Sequence, residues 1–118
     1  KNTISRIKKI SNDNKIYASV GPCIGKKSYE VDKNFYKMFL AKSRKNKIYF
    51  SIKNKTKKFF NLRKFVTDKL IKANVKVDQV NRDTFTENGN FFSYRRSCKF
   101  KQKDYGRCIS TVCMPELN

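Results

Sequence analysis

Three short stretches hold the residues whose types and spacing could do chemistry. GPCIGKKSYEV sets Cys23 between Gly21 and Gly25 with a proline beside it, DTF followed by NGNFFSYRRS (from Asp83) carries the pair Arg95 and Arg96 after Ser93, and DYGRCIS places Arg107 next to Cys108. A thiol in a glycine corner can be a nucleophile turn, a metal ligand, or only a tight bend that carries a sulfur. Gly21 and Gly25 would let the backbone turn there and come close to a ligand. The arginines carry permanent charge at loop or strand-end positions, where core packing has no use for a guanidinium. Taken singly, a Gly-Pro corner is usually a turn and an arginine pair is usually solvated.

Cysteine and histidine usage narrows the chemistry. Cys23, Cys98, Cys108 and Cys113 form no CxxC pair, and the chain has no histidine. A self-contained zinc site is therefore not expected, and no metal is expected to be bound by this chain alone. If CISTVC is a strand, Cys108 and Cys113 point to opposite faces and make a poor disulfide pair, so buried free thiols are expected. Without histidine, neither a Ser-His-Asp nor a Cys-His apparatus can be completed here.

The 29 Lys and Arg against 9 Asp and Glu give a formal charge of +20 over 118 residues. Such an excess suggests polyanion partners, yet Phe, Tyr, Met, Ile, Asn and Lys outnumber Gly, Ala, Arg and Pro several-fold. The abundant set has A/T-rich codons, so base composition alone can raise the lysine count. The lysines also scatter along the chain instead of forming one stripe, and nucleic acid is not expected as a partner. Binding to a labelled oligonucleotide is expected to be weak, sequence-indifferent and steeply lost between two salt levels; tight binding that survives physiological salt would reverse that ranking. No apolar run approaches the ~18 residues of a membrane span, and KNTISRIKKI lacks the apolar core of a signal peptide, so a cytoplasmic protein without membrane contact is expected.

The elements that must position these residues follow from periodicity. Ile4, Ile7 and Ile10 recur at helical spacing, and IYASV reads as a buried strand entering the Gly-Pro corner. Asp32 caps a helix with Phe35, Met38 and Phe39 on its inner face; Asn61 caps another with Leu62, Phe65, Val66, Leu70 and Ala73 inward. IYFSI, KFF, VKVDQV, FFSY and CISTVCM read as strands. Strands alternating with helices give an α/β fold, mixed β-sheet layers flanked by helices, over residues 1–118 as a single partial domain.

Together, in this order and spacing, GPCIG followed by YEV, the LRKFVTDKLIKANV helix, FFSYRR and DYGR resemble the multicopper polyphenol oxidase (laccase-domain) family of zinc-dependent purine nucleoside phosphorylases that also deaminate adenosine. The resemblance covers nearly the whole chain and implies a partial laccase-domain-type fold. It also implies that 1–118 corresponds to the C-terminal portion of a family member, with the upstream metal-binding half absent. In that family two histidines and a cysteine upstream of GPCIG hold the metal, so Cys23 would not be a ligand but a corner residue beside the pocket. The family commonly has Gly where Asn74 stands; Asn tolerates the left-handed, helix-ending conformation.

For the intact enzyme the resemblance implies phosphorolysis of adenosine, inosine or methylthioadenosine, with zinc as cofactor and copper suggested only by the family name. Its partners would be a purine nucleoside, phosphate and the missing N-terminal half. Arg95, Arg96 and Arg107 are the phosphate-binding candidates, since a guanidinium fork holds two phosphate oxygens. Alternation along a FFSYRR strand would place Ser93 and Arg95 on one face and Arg96 on the other, which favours Arg95 and Arg107. The fragment alone is expected to be inactive. The competing reading is a catalytically dead basic module that meets RNA or another polyanion.

Overall fold

The computed structural model describes residues 2–10, 15–103 and 106–111. Helix α1 (Asn2–Ile10) leads through β1 (Tyr17–Val20) to β2 (Glu30–Asp32) and α2 (Lys33–Lys42). A 3-10 helix (Arg44–Tyr49) then feeds β3 (Phe50–Ile52), β4 (Lys57–Phe60), α3 (Leu62–Lys72), β5 (Lys76–Gln79) and α4 (Tyr94–Lys99). Two sheets result: β1 and β5 run parallel, and β2, β4 and β3 form an antiparallel sheet with β4 in the middle. With α2 against the antiparallel sheet and α3 against both parallel strands, this is the mixed α/β layering expected of a partial laccase-type fold.

The capping signals act as their chemistry requires. Asp32 accepts from the Phe35 N–H at 2.9 Å and Asn61 accepts from the Lys64 N–H at 3.1 Å, each satisfying a helix-start donor. At the other end of α3, Asn74 takes φ 61°, the left-handed position, while Val75 N–H returns to the Leu70 carbonyl at 3.1 Å. Lys8 of α1 donates to the Ala73 carbonyl at 2.9 Å and so satisfies another acceptor at this helix end.

The core is aromatic. Phe60 is 1% exposed and lies with Val31 and Tyr49 under Tyr29, Phe35, Phe39, Phe50, Leu62 and Phe65. Ring pairs such as Phe39–Phe65 (5.2 Å, 79°) and Tyr49–Phe65 (5.3 Å, 87°) take the edge-to-face geometry that ring quadrupoles favour. Phe65 thereby joins α3 to the antiparallel layer. Met38, expected on the inner face of α2, is exposed: Phe35 and Phe39 already fill that side.

Two strand assignments are corrected. Only Phe50–Ile52 of IYFSI is a strand; Tyr49 closes a 3-10 turn capped by Ser43, and the Asn46 amide donates to the Phe39 carbonyl at 2.9 Å. FFSYRR is not a strand either: Ser93 is an N-cap whose hydroxyl accepts from the Arg96 N–H at 3.2 Å, and Arg95 and Arg96 are adjacent on α4. The alternating-face argument for Arg95 over Arg96 therefore lapses. Residues 106–111 form no regular strand, and the rest of CISTVCM, with Cys113, lies outside the described residues. Cys23 is half-buried while Cys98 and Cys108 are exposed, so these free thiols are not the buried ones expected.

Candidate functional site

The parallel pair delivers its two strand ends to one place. After β1 the chain enters the Gly-Pro corner, and after β5 it reaches Asp83, which makes a parallel bridge with Cys23; Thr84 N–H donates to the Cys23 carbonyl at 3.1 Å. Beside this junction lies a pocket of about 280 Å³. Its walls come from all three chemically suggestive stretches: Pro22 from the first, Asn90, Phe91 and Phe92 from the second, and Arg107 with Cys108 from the third. Stretches far apart in sequence thus meet at one concave surface, with a guanidinium beside aromatic rings.

Local contacts explain how that surface is held. A Cβ on Gly106 would sit 2.5 Å from the Phe92 ring, so only glycine lets the third stretch close on the second. Cys108 Sγ accepts from the Phe92 N–H at 3.3 Å, a pairing across the same seam. Arg96 fixes the opposite edge: its guanidinium donates to the carbonyls of Thr84 at 2.7 Å, Phe85 at 3.0 Å and Phe91 at 2.6 Å. That is a structural role, because each donation binds backbone to backbone through one side chain.

The structure separates the other expected site residues. Arg95 donates to the Glu30 carbonyl at 2.7 Å, lies 5.1 Å from the Tyr29 ring centroid, and lines two other pockets, of about 330 and 230 Å³, that Arg107 does not line. Ser93 spends its hydroxyl on the helix cap. Gly21 takes no left-handed φ, and a Cβ there would meet Ser110 Oγ at an ordinary 3.7 Å, so neither a special turn nor a close approach demands glycine. Gly25 is different: its added Cβ would lie 2.5 Å from the Asp83 carboxylate. Burial pushes the Cys23 thiol up, beyond what the adjacent Arg63 guanidinium pulls down, so it stays protonated and is no activated nucleophile.

Asp83 opens the DTF stretch, was given no role from sequence, and is the hub of the junction. Its carboxylate accepts from the Ser28 hydroxyl at 2.5 Å and the Phe85 N–H at 2.8 Å. Burial opposes its ionisation, but Ser28 and the N–H groups of Gly25, Phe85 and Thr86 outweigh that and hold it below the usual 3.8. Because the folded state depresses this pKa, the stability Asp83 contributes is present above the unfolded value and is lost as pH falls through the folded one. Asp83→Asn is expected to weaken the fold at neutral pH and flatten its acid unfolding limb, as read from thermal midpoints between pH 3 and 6. An unchanged acid limb would remove Asp83 from this role. The Asp-x-Phe spacing of an Asx turn was the available signal.

Resident zinc or copper does not fit the described residues. Among them no three His, Cys, Asp or Glu side chains gather to hold a metal ion, and Cys23 is flanked by a guanidinium. No helix among them is long and apolar enough to cross a membrane.

Comparison with known proteins bears on the whole chain. Residues 1–115 match the family model described as multi-copper polyphenol oxidoreductase laccase. A purine nucleoside phosphorylase of Rickettsia conorii is 36% identical over 101 residues, covering 84% of this chain and 42% of that protein. One from Rickettsia prowazekii is 40% identical over 84 residues (70% and 35%), and one from Escherichia coli is 36% identical over 104 (86% and 40%). The chain therefore spans well under half the length of the relatives it matches.

Proposed function

Because the chain belongs to the multi-copper polyphenol oxidoreductase laccase family, we propose that it is the nucleoside- and phosphate-binding portion of a purine nucleoside phosphorylase. The observation that carries this is the convergence of the three stretches on one pocket with Arg107 beside Phe91 and Phe92. Aromatic faces pack on a purine, the Asn90 amide can pair with its heteroatoms, and the Arg107 fork can hold two phosphate oxygens. In phosphorolysis a phosphate oxygen bonds to the ribose anomeric carbon while the bond from that carbon to the purine nitrogen breaks. The purine takes the electron pair and a proton, and ribose 1-phosphate forms. The guanidinium's part is to position the nucleophile against that carbon.

The proposed substrates are adenosine, inosine and methylthioadenosine, in the cytoplasm. Adenosine deamination, in which water replaces the amino group and ammonia leaves, is proposed as a second activity that needs no phosphate. The remaining length of the relatives, which this chain does not match, is proposed to supply a metal-binding half that completes the enzyme.

Assaying inosine with phosphate tests the reading, both with the chain alone and with the chain joined to the portion of the Rickettsia conorii relative that it does not match. The joined protein is expected to release hypoxanthine and ribose 1-phosphate only when phosphate is present; the chain alone is expected to release neither and to hold no stoichiometric zinc. Turnover by the chain alone would contradict the division of labour. A folded joined protein that leaves inosine intact would remove the function.

A further inference from the structure

A wider, open cleft of about 840 Å³ lies elsewhere, along one side of α3. Lys26, Lys27, Arg63 and Lys64 line it, facing Asp68, Asp83 and Glu87. The carboxylates are already engaged. Asp83 is held by Ser28 and backbone donors; Asp68 accepts from the Tyr49 hydroxyl at 2.7 Å and pairs with Lys64 at 3.5 Å. Glu87 pairs with Arg82 at 2.7 Å and accepts from the Asp83 N–H. Positive charge is therefore left in surplus, since exposed Lys26 and Lys27 form no ion pair among the described residues.

Arg63 is fixed but not exhausted. One Nη donates to the Asn81 side chain at 3.2 Å and the other to the Arg82 carbonyl at 2.6 Å, which orients the fork and leaves further N–H groups unused. Its Nε and Thr67 Oγ1 are the two buried side-chain polar atoms without a partner among the described residues, and both residues line this cavity. Buried polar atoms are rarely left unpaired, and a small turn of either side chain would offer these two donors to a ligand that accepts hydrogen bonds. The volume lies within the usual range for small-molecule sites and exceeds what a bare phosphate ion needs. Amides of Asn61, Gln79 and Asn81 on the walls suit hydroxyl groups.

From these features we infer that the cleft binds a phosphate ester of a hydroxyl-bearing small molecule, with the phosphoryl group held by Lys26, Lys27 and Arg63. This second site does not rest on the reading of the Arg107 pocket. Calorimetric titration of the 118-residue chain with ribose 5-phosphate, inorganic phosphate and adenosine tests it. Ribose 5-phosphate is expected to saturate one site per chain, more tightly than inorganic phosphate, and adenosine is expected not to displace it. Removing both lysines with Lys26→Ala and Lys27→Ala should weaken it by about tenfold or more, as loss of charge-assisted hydrogen bonds implies. Thr67→Val, which keeps shape and removes the hydroxyl, should weaken it less, and Arg107→Ala not at all. No saturable binding, or lysine variants that bind as wild type, overturns the site. A loss confined to Arg107→Ala moves the phosphoryl group to the other pocket and also overturns it. Displacement of the ester by an oligonucleotide that binds more tightly assigns these cations to nucleic acid instead.

Discussion

Replacing Phe60 by Ala is expected to destabilise the fold by about 3–5 kcal/mol, the usual cost of deleting a buried phenyl ring. Phe60 is the most completely enclosed large side chain, and its ring lies between 5.0 and 5.7 Å from those of Phe35, Phe39, Phe50, Phe65 and Tyr29. Phe35, Phe39, Phe50 and Phe65 are each held edge-to-face by a ring other than Phe60, so none of them can collapse into the vacated volume without losing that partner. Small domains hold about 5–15 kcal/mol in total, so the variant should sit near or below the threshold for folding at ambient temperature. Urea unfolding reads the loss, and Phe60→Leu, which retains most of the volume, should cost less than about 2 kcal/mol. Ile52→Ala supplies the control: Ile52 is 78% exposed and should move stability by no more than about 0.5 kcal/mol. If Phe60→Ala matches the control, this ring cluster is not the core.

In the joined protein described above, Arg107→Ala is expected to lower phosphorolysis by about a hundredfold, with little change in thermal midpoint. Losing two charge-assisted hydrogen bonds to phosphate is worth about 3 kcal/mol at the transition state, whereas an exposed arginine contributes little to folding. Arg107→Lys keeps the charge but loses the fork, and should recover only part of the rate. Deamination of adenosine, with no phosphate to hold, should fall less than phosphorolysis in the same variants. Arg95→Ala should leave the rate nearly unchanged, because its guanidinium is turned to the Glu30 carbonyl and the Tyr29 ring and does not line the Arg107 pocket. Wild-type phosphorolysis in Arg107→Ala, or simple unfolding of that variant, would strip Arg107 of its phosphate role.

Where order was set locally, the sequence was readable. Asp32 before a Phe35–Phe39 stripe and Asn61 before Leu62 announce α2 and α3, because a cap and a 3.6-residue period lie within a few positions of each other. Asn74 announced its own left-handed φ. The failures share a cause. FFSY has strand propensity, yet Ser93 and the Arg96 bonds to residues 84–91 convert its continuation into a six-residue helix, a decision taken by carbonyls that no local pattern names. Ile48 and Tyr49 look like strand residues for the same reason, until Asn46 ties their turn to α2. The three stretches were visible as motifs, while their meeting point was not, since convergence depends on Asp83 and Gly106 permitting close approach. Arg63, half-buried beside Cys23, gave no signal beyond being one basic residue among many.

The pairing of β1 with β5 also sets an order of assembly. Ile52 finds Lys58 almost next to it in the chain, and Glu30 finds Phe59 after α2, the 3-10 helix and β3, but Tyr17 must wait for Lys76 across most of the described sequence. Loop-closure entropy makes the local hairpin the early event and the parallel pair the late one. The corner after β1 and the turn after β5 are brought together only by that last closure, so a half-folded chain presents an aromatic nucleus with no pocket beside it. Amide exchange should accordingly be fastest at Tyr17–Val20 and Lys76–Gln79 and slowest around Phe60, and ligand that binds the finished pocket would slow the former by locking shut the final step of folding.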